Sequence, residues 1–273
     1  CSLLQAIEAM PSLTETSLKR FIRDMFEGLA ALHAAQIVHR DVKPDNFLCQ
    51  GPNSTVKLCD FGLASKTASP DAADLAGVNG TPPYMAPEML KNERYSSKVD
   101  TWSFGVIVYV LFFGRFPYKP VEQTGPAMKA AIASGTPAPT FRPSSTVSQK
   151  AFGQDGGFVS ASGIAFVRAL LNRELTARPT CQQALASDVF AEAGERSYSL
   201  RPILSAAKRC GAFDLPPSRG KAAPTVVDQR LQELQERQRR AASSATAGKV
   251  MSPMSEQSTE AAESSVNGSA ASR

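Results

Sequence analysis

Between residues 14 and 36, apolar side chains recur at spacings of three and four, at Leu18, Ile22, Met25, Leu29 and Leu32. That spacing gives one apolar face and predicts an amphipathic helix. Thr14 suits its N-cap, and Glu15 suits the positive end of the helix dipole. The pattern then shortens. Residues 47–49 and 55–59 are brief apolar runs separated by Gly51-Pro52-Asn53-Ser54, which predicts a β-hairpin. Residues 62–88 show no periodicity and carry Gly77, Gly80 and Pro82-Pro83, so they read as loop. From Ser96, a capping residue, through Phe113, the apolar positions run all the way round, which predicts a central, buried helix. Residues 120–133 and 160–172 predict two further helices, and Arg178-Pro179-Thr180 opens a short one ending near Phe190.

Two stretches break this pattern. Residues 134–157 are rich in Gly, Pro, Ser and Thr and read as an exposed insertion. Residues 191–273 read as a C-terminal extension, mostly disordered, because 241–273 hold too few apolar side chains to offset the entropy of ordering. Within it, Val227, Leu231 and Leu234 predict one helix over 226–240.

Composition narrows the classes of function. The 273 residues carry a net charge of +5 with Lys and Arg scattered, which gives no footprint for nucleic acid. The longest apolar run, 104–113, is too short to span a bilayer, so no membrane partner is expected. No basic segment followed by an apolar core opens the chain, so no secretory leader is read. The five cysteines, Cys1, Cys49, Cys59, Cys181 and Cys210, show no C-x-x-C spacing and are expected as free thiols in a reducing compartment. A cytoplasmic location is expected, with the nucleus as the alternative. The first residue is Cys rather than Met, which points to a start cut from something longer or to a processed terminus.

The chemistry lies in the loops. His39-Arg40-Asp41 is followed by Lys43 and Asn46, then by Asp60-Phe61-Gly62 after the predicted hairpin, and then by Ala86-Pro87-Glu88. Any one triplet occurs by accident, but all of them in this order, with these elements between, do not. Over residues 1–190 the chain resembles the C-terminal lobe of the eukaryotic protein kinases. Lys43-Pro44 and GTPPYMAPE at 80–88 resemble the serine/threonine branch, and DNFL and KLCDFGLAS look most like the calcium/calmodulin-dependent or calcium-dependent group. No EF-hand loop accompanies them. The fold class so implied is mainly α, a kinase-like C-lobe with one small hairpin, no N-lobe and a disordered tail.

The resemblance implies roles for named residues, with ATP and magnesium as cofactors and a protein serine or threonine as acceptor. Phosphoryl transfer is largely positioning plus neutralisation of charge. Asp41 is expected to take or orient the acceptor proton, and Lys43 to offset charge on the γ-phosphate. Thr81 is expected to bridge Asp41 and Lys43. Asn46 and Asp60 are expected to hold magnesium, a hard cation that prefers oxygen ligands. Lys43, Asn46, Leu48 and Asp60 together are expected to meet the nucleotide. Structural roles are expected for His39, packed under Phe61, for Arg40, and for Gly62 as a hinge after Asp60. The same holds for Glu88 paired with Arg178, and for Asp100 accepting from the backbone of the catalytic loop. Cys49 and Cys59 are expected only to pack, and His33 to lie on the surface or in the core of its helix. Asp45 hints at a basic substrate, although the second acidic contact expected near Ser2 is absent.

Regulation is open on the sequence. Arg40 before Asp41 calls for an anion from the activation segment, yet residues 75–79 offer nothing to phosphorylate. Either Asp71 or Asp74 supplies a fixed charge, which is the favoured reading, or Thr67 or Ser69 is modified. Residues 226–243 read either as a solvated helix or as a basic segment for calmodulin, with Ser243 as a modification site. Neither G-x-G-x-x-G nor V-A-I-K occurs in the chain. Two classes of function are therefore weighed, a serine/threonine kinase present as a fragment inactive on its own, and a kinase-fold module that only binds.

Overall fold

A computed structural model describes residues 1–49, 56–122, 124–143, 159–190 and 198–213. These fall within the compact unit Cys1–Asp228. The second unit, Gln229–Arg273, lies outside the described residues, as do most of the 134–157 insertion and the 226–243 segment.

Helix α1 spans Leu3–Glu8 and α2 spans Glu15–Ala34. Thr14 caps α2 through a reciprocal pair with Ser17, satisfying donors the first turn leaves open. The apolar face of α2 is wider than the periodic positions alone, because Phe21 and Phe26 join Leu18, Ile22, Met25 and Leu29 in the core. Helix α3 is Pro87–Leu90, and α4 is Lys98–Phe113. Every residue of α4 from Val99 to Phe113 is buried, as its all-round apolar pattern requires. Helices α5 (Gly125–Ser134), α6 (Ala161–Leu170) and α7 (Cys181–Leu185) come next. Helix α4 is the centre, packed against α2 and α6. Gly105 makes the α4–α6 approach feasible, since a Cβ there would sit 2.8 Å from Cβ of Leu170.

Four strands make two antiparallel sheets. Strand β1 (Ile37–Val38) pairs with β4 (Ser65–Lys66), and β2 (Phe47–Cys49) pairs with β3 (Val56–Leu58) in the register Phe47 to Leu58. The hairpin is thus nested between the strands of the other sheet. Ser2 forms a further bridge to Leu48 alongside β2.

This corrects the expected fold class. A single hairpin with the N-lobe absent does not stand, because the described residues hold four strands in two sheets and the first residues bridge onto one of them. Strands of two residues are too short to show a period of two, so 65–66 reads as loop and 37–38 gives no strand signal. Within the C-terminal extension, helix α8 (Arg201–Arg209), which the sequence reading did not place, packs against α4. Its signal is present in the chain: Leu200, Ile203, Leu204 and Ala207 recur at spacings of three and four, with Pro202 in the first turn.

All five cysteines are free thiols. Among the described residues, no helix is long and apolar enough to cross a membrane.

Candidate active site

The loop between β1 and β2 carries His39 to Asn46, and its anchor comes from α4. Asp100, wholly buried in the first turn of α4, accepts from the backbone N–H of His39 through Oδ2 and of Arg40 through Oδ1, both at 2.8 Å. His33 near the end of α2 places Nε2 2.8 Å from the same Oδ2. Burial by itself raises the Asp100 carboxyl, but the His33 ring and the His39 amide more than reverse this and hold it below its ordinary range. Burial likewise opposes the charged form of His33, yet the Cys181 sulfur and the Asp100 carboxylate lift it to about 10. The result is a buried ion pair to which two loop amides are tied.

His39 links this loop to the hairpin. Its Nδ1 accepts from Asp41 N–H at 3.3 Å and its Nε2 faces the Cys59 carbonyl at 3.1 Å, so the hydrogen belongs on Nε2. The ring lies 5.3 Å from that of Phe61. Cys59 N–H donates to the Asn46 carbonyl at 2.9 Å, which sets Asp60 one residue from the end of the 39–46 loop. Burial pushes the Cys59 thiol up to about 11, so it packs as a thiol.

Asp41, Lys43 and Thr81 meet in one buried cluster. Thr81 Oγ1 donates to Asp41 Oδ1 at 2.7 Å and accepts from Lys43 Nζ at 3.2 Å. Lys43 Nζ lies 3.0 Å from Asp41 Oδ2, an ion pair whose angle falls outside hydrogen-bond geometry, so Oδ2 is buried with no donor aligned to it. The Lys43 ammonium offsets its charge, and a further donor would complete its hydrogen bonding. Asn46 Nδ2 donates to the Asp41 carbonyl at 2.8 Å, which commits the amide nitrogen and leaves the side-chain oxygen for a cation. Asp60 is exposed, with Oδ1 3.4 Å from the Gly62 amide. Among the described residues no cluster of three or more His, Cys, Asp or Glu could hold a metal. Magnesium needs none, being held by one or two protein oxygens with substrate phosphates and water supplying the rest. An amide oxygen and a carboxylate, one on each side of the Asn46–Cys59 bond, fit that requirement.

Left-handed backbone falls on Asp60, at φ 61°, and on Arg40, at φ 66°. Such conformations in residues other than glycine gather at functional sites. Leu48 is 47% exposed on β2, an apolar side chain left open beside this loop.

Glu88 and Arg178 meet through two bonds, Nη1 to Oε1 at 2.6 Å and Nη2 to Oε2 at 3.2 Å, and both are buried. Arg178 also donates to the carbonyls of Asn172 and Lys98 and lies over the Trp102 ring. Arg40 donates from Nε to the Leu63 carbonyl at 2.6 Å and makes no ion pair among the described residues. Asp74 turns to its own loop, accepting from Thr67 Oγ1 at 2.5 Å and from Ala68 N–H at 2.7 Å. The Thr67 bond first, and the amide next, hold the Asp74 carboxyl below its ordinary range.

Sequence reasoning missed His33 as a partner of Asp100. Its place four residues after Leu29, on the buried face of α2, was the available signal. It also missed the α2–α6 link, in which Glu15 accepts from both the backbone N–H and the Oγ of Ser160.

Comparison with known proteins gives the family. The family model described as the protein kinase domain matches residues 1–190. The match starts at the first residue, which further overturns the expectation of an absent N-lobe. The serine/threonine-protein kinase TIO of Arabidopsis thaliana is 41% identical over 116 residues, 42% of this chain and 9% of that protein. The human hormonally up-regulated neu tumor-associated kinase is 32% identical over 189 residues, 68% of this chain and 24% of that protein. Human serine/threonine-protein kinase H1 is 39% identical over 124 residues, 45% of this chain and 29% of that protein. The chain therefore spans less than a third of the length of these relatives. Their names support the serine/threonine branch and give no support to the calcium/calmodulin-dependent group.

Proposed function

The chain belongs to the protein kinase family, and on that premise we propose that its 39–62 region and Thr81 transfer the γ-phosphate of ATP to a serine or threonine hydroxyl of a protein. The transfer is proposed for the whole protein of which these residues form the site. The observation that carries it is the Asp41 side chain, held on one oxygen by Thr81 and left on the other, buried Oδ2 without an aligned donor. An acceptor hydroxyl supplies that donor. As its oxygen bonds to the γ-phosphorus and the bond from phosphorus to the β-phosphate oxygen breaks, the proton passes to Asp41 and ADP leaves. Lys43, fixed by Thr81 and Asp41, carries the cation that offsets charge on the transferring group. Asn46 and Asp60 are the oxygen donors for magnesium, which when bound neutralises phosphate charge. Leu48 offers the apolar contact for the nucleotide.

The test is phosphate transfer from radiolabelled ATP, with magnesium, by the protein to basic peptides carrying serine, threonine or tyrosine. Transfer to serine and threonine, lost on Asp41→Asn with nucleotide binding retained, is the expected result. Undiminished transfer by that variant would overturn the reading.

A further inference from the structure

The segment 198–213 lies beyond the residues matched by the kinase family, yet it packs against α4 and bonds to Tyr84. Ile203 and Ala207 of α8 are wholly buried, as is Ala212 after it. Gly114, the C-cap of α4 at φ 69°, receives α8 so closely that a Cβ there would meet Ala206 Cβ at 2.8 Å and the Ile203 carbonyl at 2.9 Å. At its start the segment is held to the other side of the fold. Leu200 N–H donates to the Leu13 carbonyl at 2.7 Å, and Arg201 donates to the Met10 carbonyl at 2.6 Å.

At its far end it reaches the loop that carries Thr81. Tyr84 is 2% exposed, and its hydroxyl donates to the Ala212 carbonyl at 2.8 Å. Burial, together with Asp45, Cys210 and Asp41 nearby, holds that hydroxyl far above its ordinary titration range, so it stays a donor. The carbonyl of Tyr84 accepts from Ser103 of α4 at 2.7 Å. Tyr84 is thus fixed at its ring end by the C-terminal segment and at its backbone by α4. The tight turn Pro82–Tyr84 then connects it directly to Thr81, with Tyr84 N–H donating to the Thr81 carbonyl at 3.0 Å.

We propose that residues 198–213 are a positioning element of the site. By accepting the Tyr84 hydroxyl they hold the Pro82–Tyr84 turn, and through it keep the Thr81 hydroxyl between Asp41 and Lys43. The kinase span alone would leave the Tyr84 hydroxyl without this acceptor. The inference rests on the proposed function only in giving Thr81 a part in transfer; the contact itself does not depend on it.

Hydrogen exchange on the full chain tests it without requiring activity. Tyr84→Phe keeps the ring and removes the bond, while Ala206→Asp places a carboxylate against Gly114 and lifts α8. Tyr84→Phe is expected to speed exchange at the Tyr84 and Met85 amides roughly five-fold, the factor for one neutral hydrogen bond, with amides of α2 unchanged. Ala206→Asp is expected to speed the same two amides further. Peptide phosphorylation is expected to fall in both variants. Unchanged exchange at Tyr84 and Met85 would overturn the inference, as would acceleration spread equally through α2. A rise in phosphorylation on lifting α8 would also overturn it, and would make the segment a cover over the acceptor face. A protein that transfers no phosphate at all leaves the exchange result decisive, so the two readings fail separately.

Discussion

Thr81 donates to Asp41 at 2.7 Å across a separation of 40 positions, and the same hydroxyl accepts from Lys43 at 3.2 Å. One oxygen therefore sets the spacing between an anion and a cation that are otherwise joined only by a misaligned contact. Removing it leaves Asp41 Oδ1 short of its donor inside a buried cluster.

Thr81→Ala is expected to lower kcat about ten- to hundred-fold, the range set by losing a hydrogen bond to a charged group at about 1.5–3 kcal/mol. Thr81→Ser keeps the hydroxyl and is expected to retain most of the rate. KM for ATP should be little changed in either. Steady-state kinetics of peptide phosphorylation make the comparison, and an Ala variant as fast as the Ser variant would remove Thr81 from the mechanism.

The His33–Asp100 pair makes stability depend on pH in a stated direction. His33 is raised from 6.5 to about 10, so the stability it lends is complete below 6.5 and drains away as pH climbs through about 10. Asp100 is held below 3.8, so its share is complete above 3.8 and is lost as pH falls through the lowered value. A plateau between these limits is expected in urea midpoints measured against pH. His33→Gln, which cannot charge, should flatten the alkaline limb and also shrink the acid limb, because the His33 ring is the chief cause that holds Asp100 down; alkaline limbs of equal slope in the two proteins would sink the assignment.

The sequence made the site more legible than the frame around it, and the reason is physical. Asp41, Lys43, Asn46 and Thr81 sit in motifs whose spacing the chemistry constrains, and the structure brings Asp41, Lys43 and Thr81 into one buried cluster with Asn46 on the Asp41 carbonyl. Long periodic helices such as α2 and α4 were equally readable, because their burial pattern repeats over several turns. What escaped were features of low local signal: strands of two residues, the left-handed backbone at Asp60, and polar pairs such as Glu15 with Ser160, 145 positions apart. Helix α8 escaped for a different reason. Its amphipathic spacing covers only two to three turns and borders the long polar stretch 241–273, whose composition dominates the C-terminal third of the chain.

Thr67 and Asp74 bear on how the segment after Gly62 is held. The Thr67 hydroxyl is buried and already donates to Asp74, and the Asp74 carbonyl accepts from Arg94 at 3.1 Å. Asp74 thus organises its own loop, and no ion pair joins it to Arg40 among the described residues. Phosphopeptide mapping of active protein is expected to find Thr67 unmodified. Asp74→Ala is expected to open the loop and raise protease cleavage within 67–74. Stoichiometric phosphate on Thr67 would contradict the closed loop.

Arg178 is the residue whose loss should cost most outside the site. Its guanidinium is fully buried, spans both oxygens of Glu88, and donates to two carbonyls besides. Arg178→Ala strands the Glu88 carboxylate without its partner, at an expected cost of about 3–5 kcal/mol. Arg178→Lys keeps the charge but loses the planar fork, since one ammonium cannot serve four acceptors set for a guanidinium. It is expected to recover only part of that loss. The double variant Glu88→Gln with Arg178→Met removes both charges together and is expected to be more stable than Arg178→Ala alone, because no unpaired charge remains buried. Chemical denaturation of the three variants supplies the comparison. Equal stability of Arg178→Ala and the double variant would mean that lost packing around Trp102, not the stranded carboxylate, sets the cost.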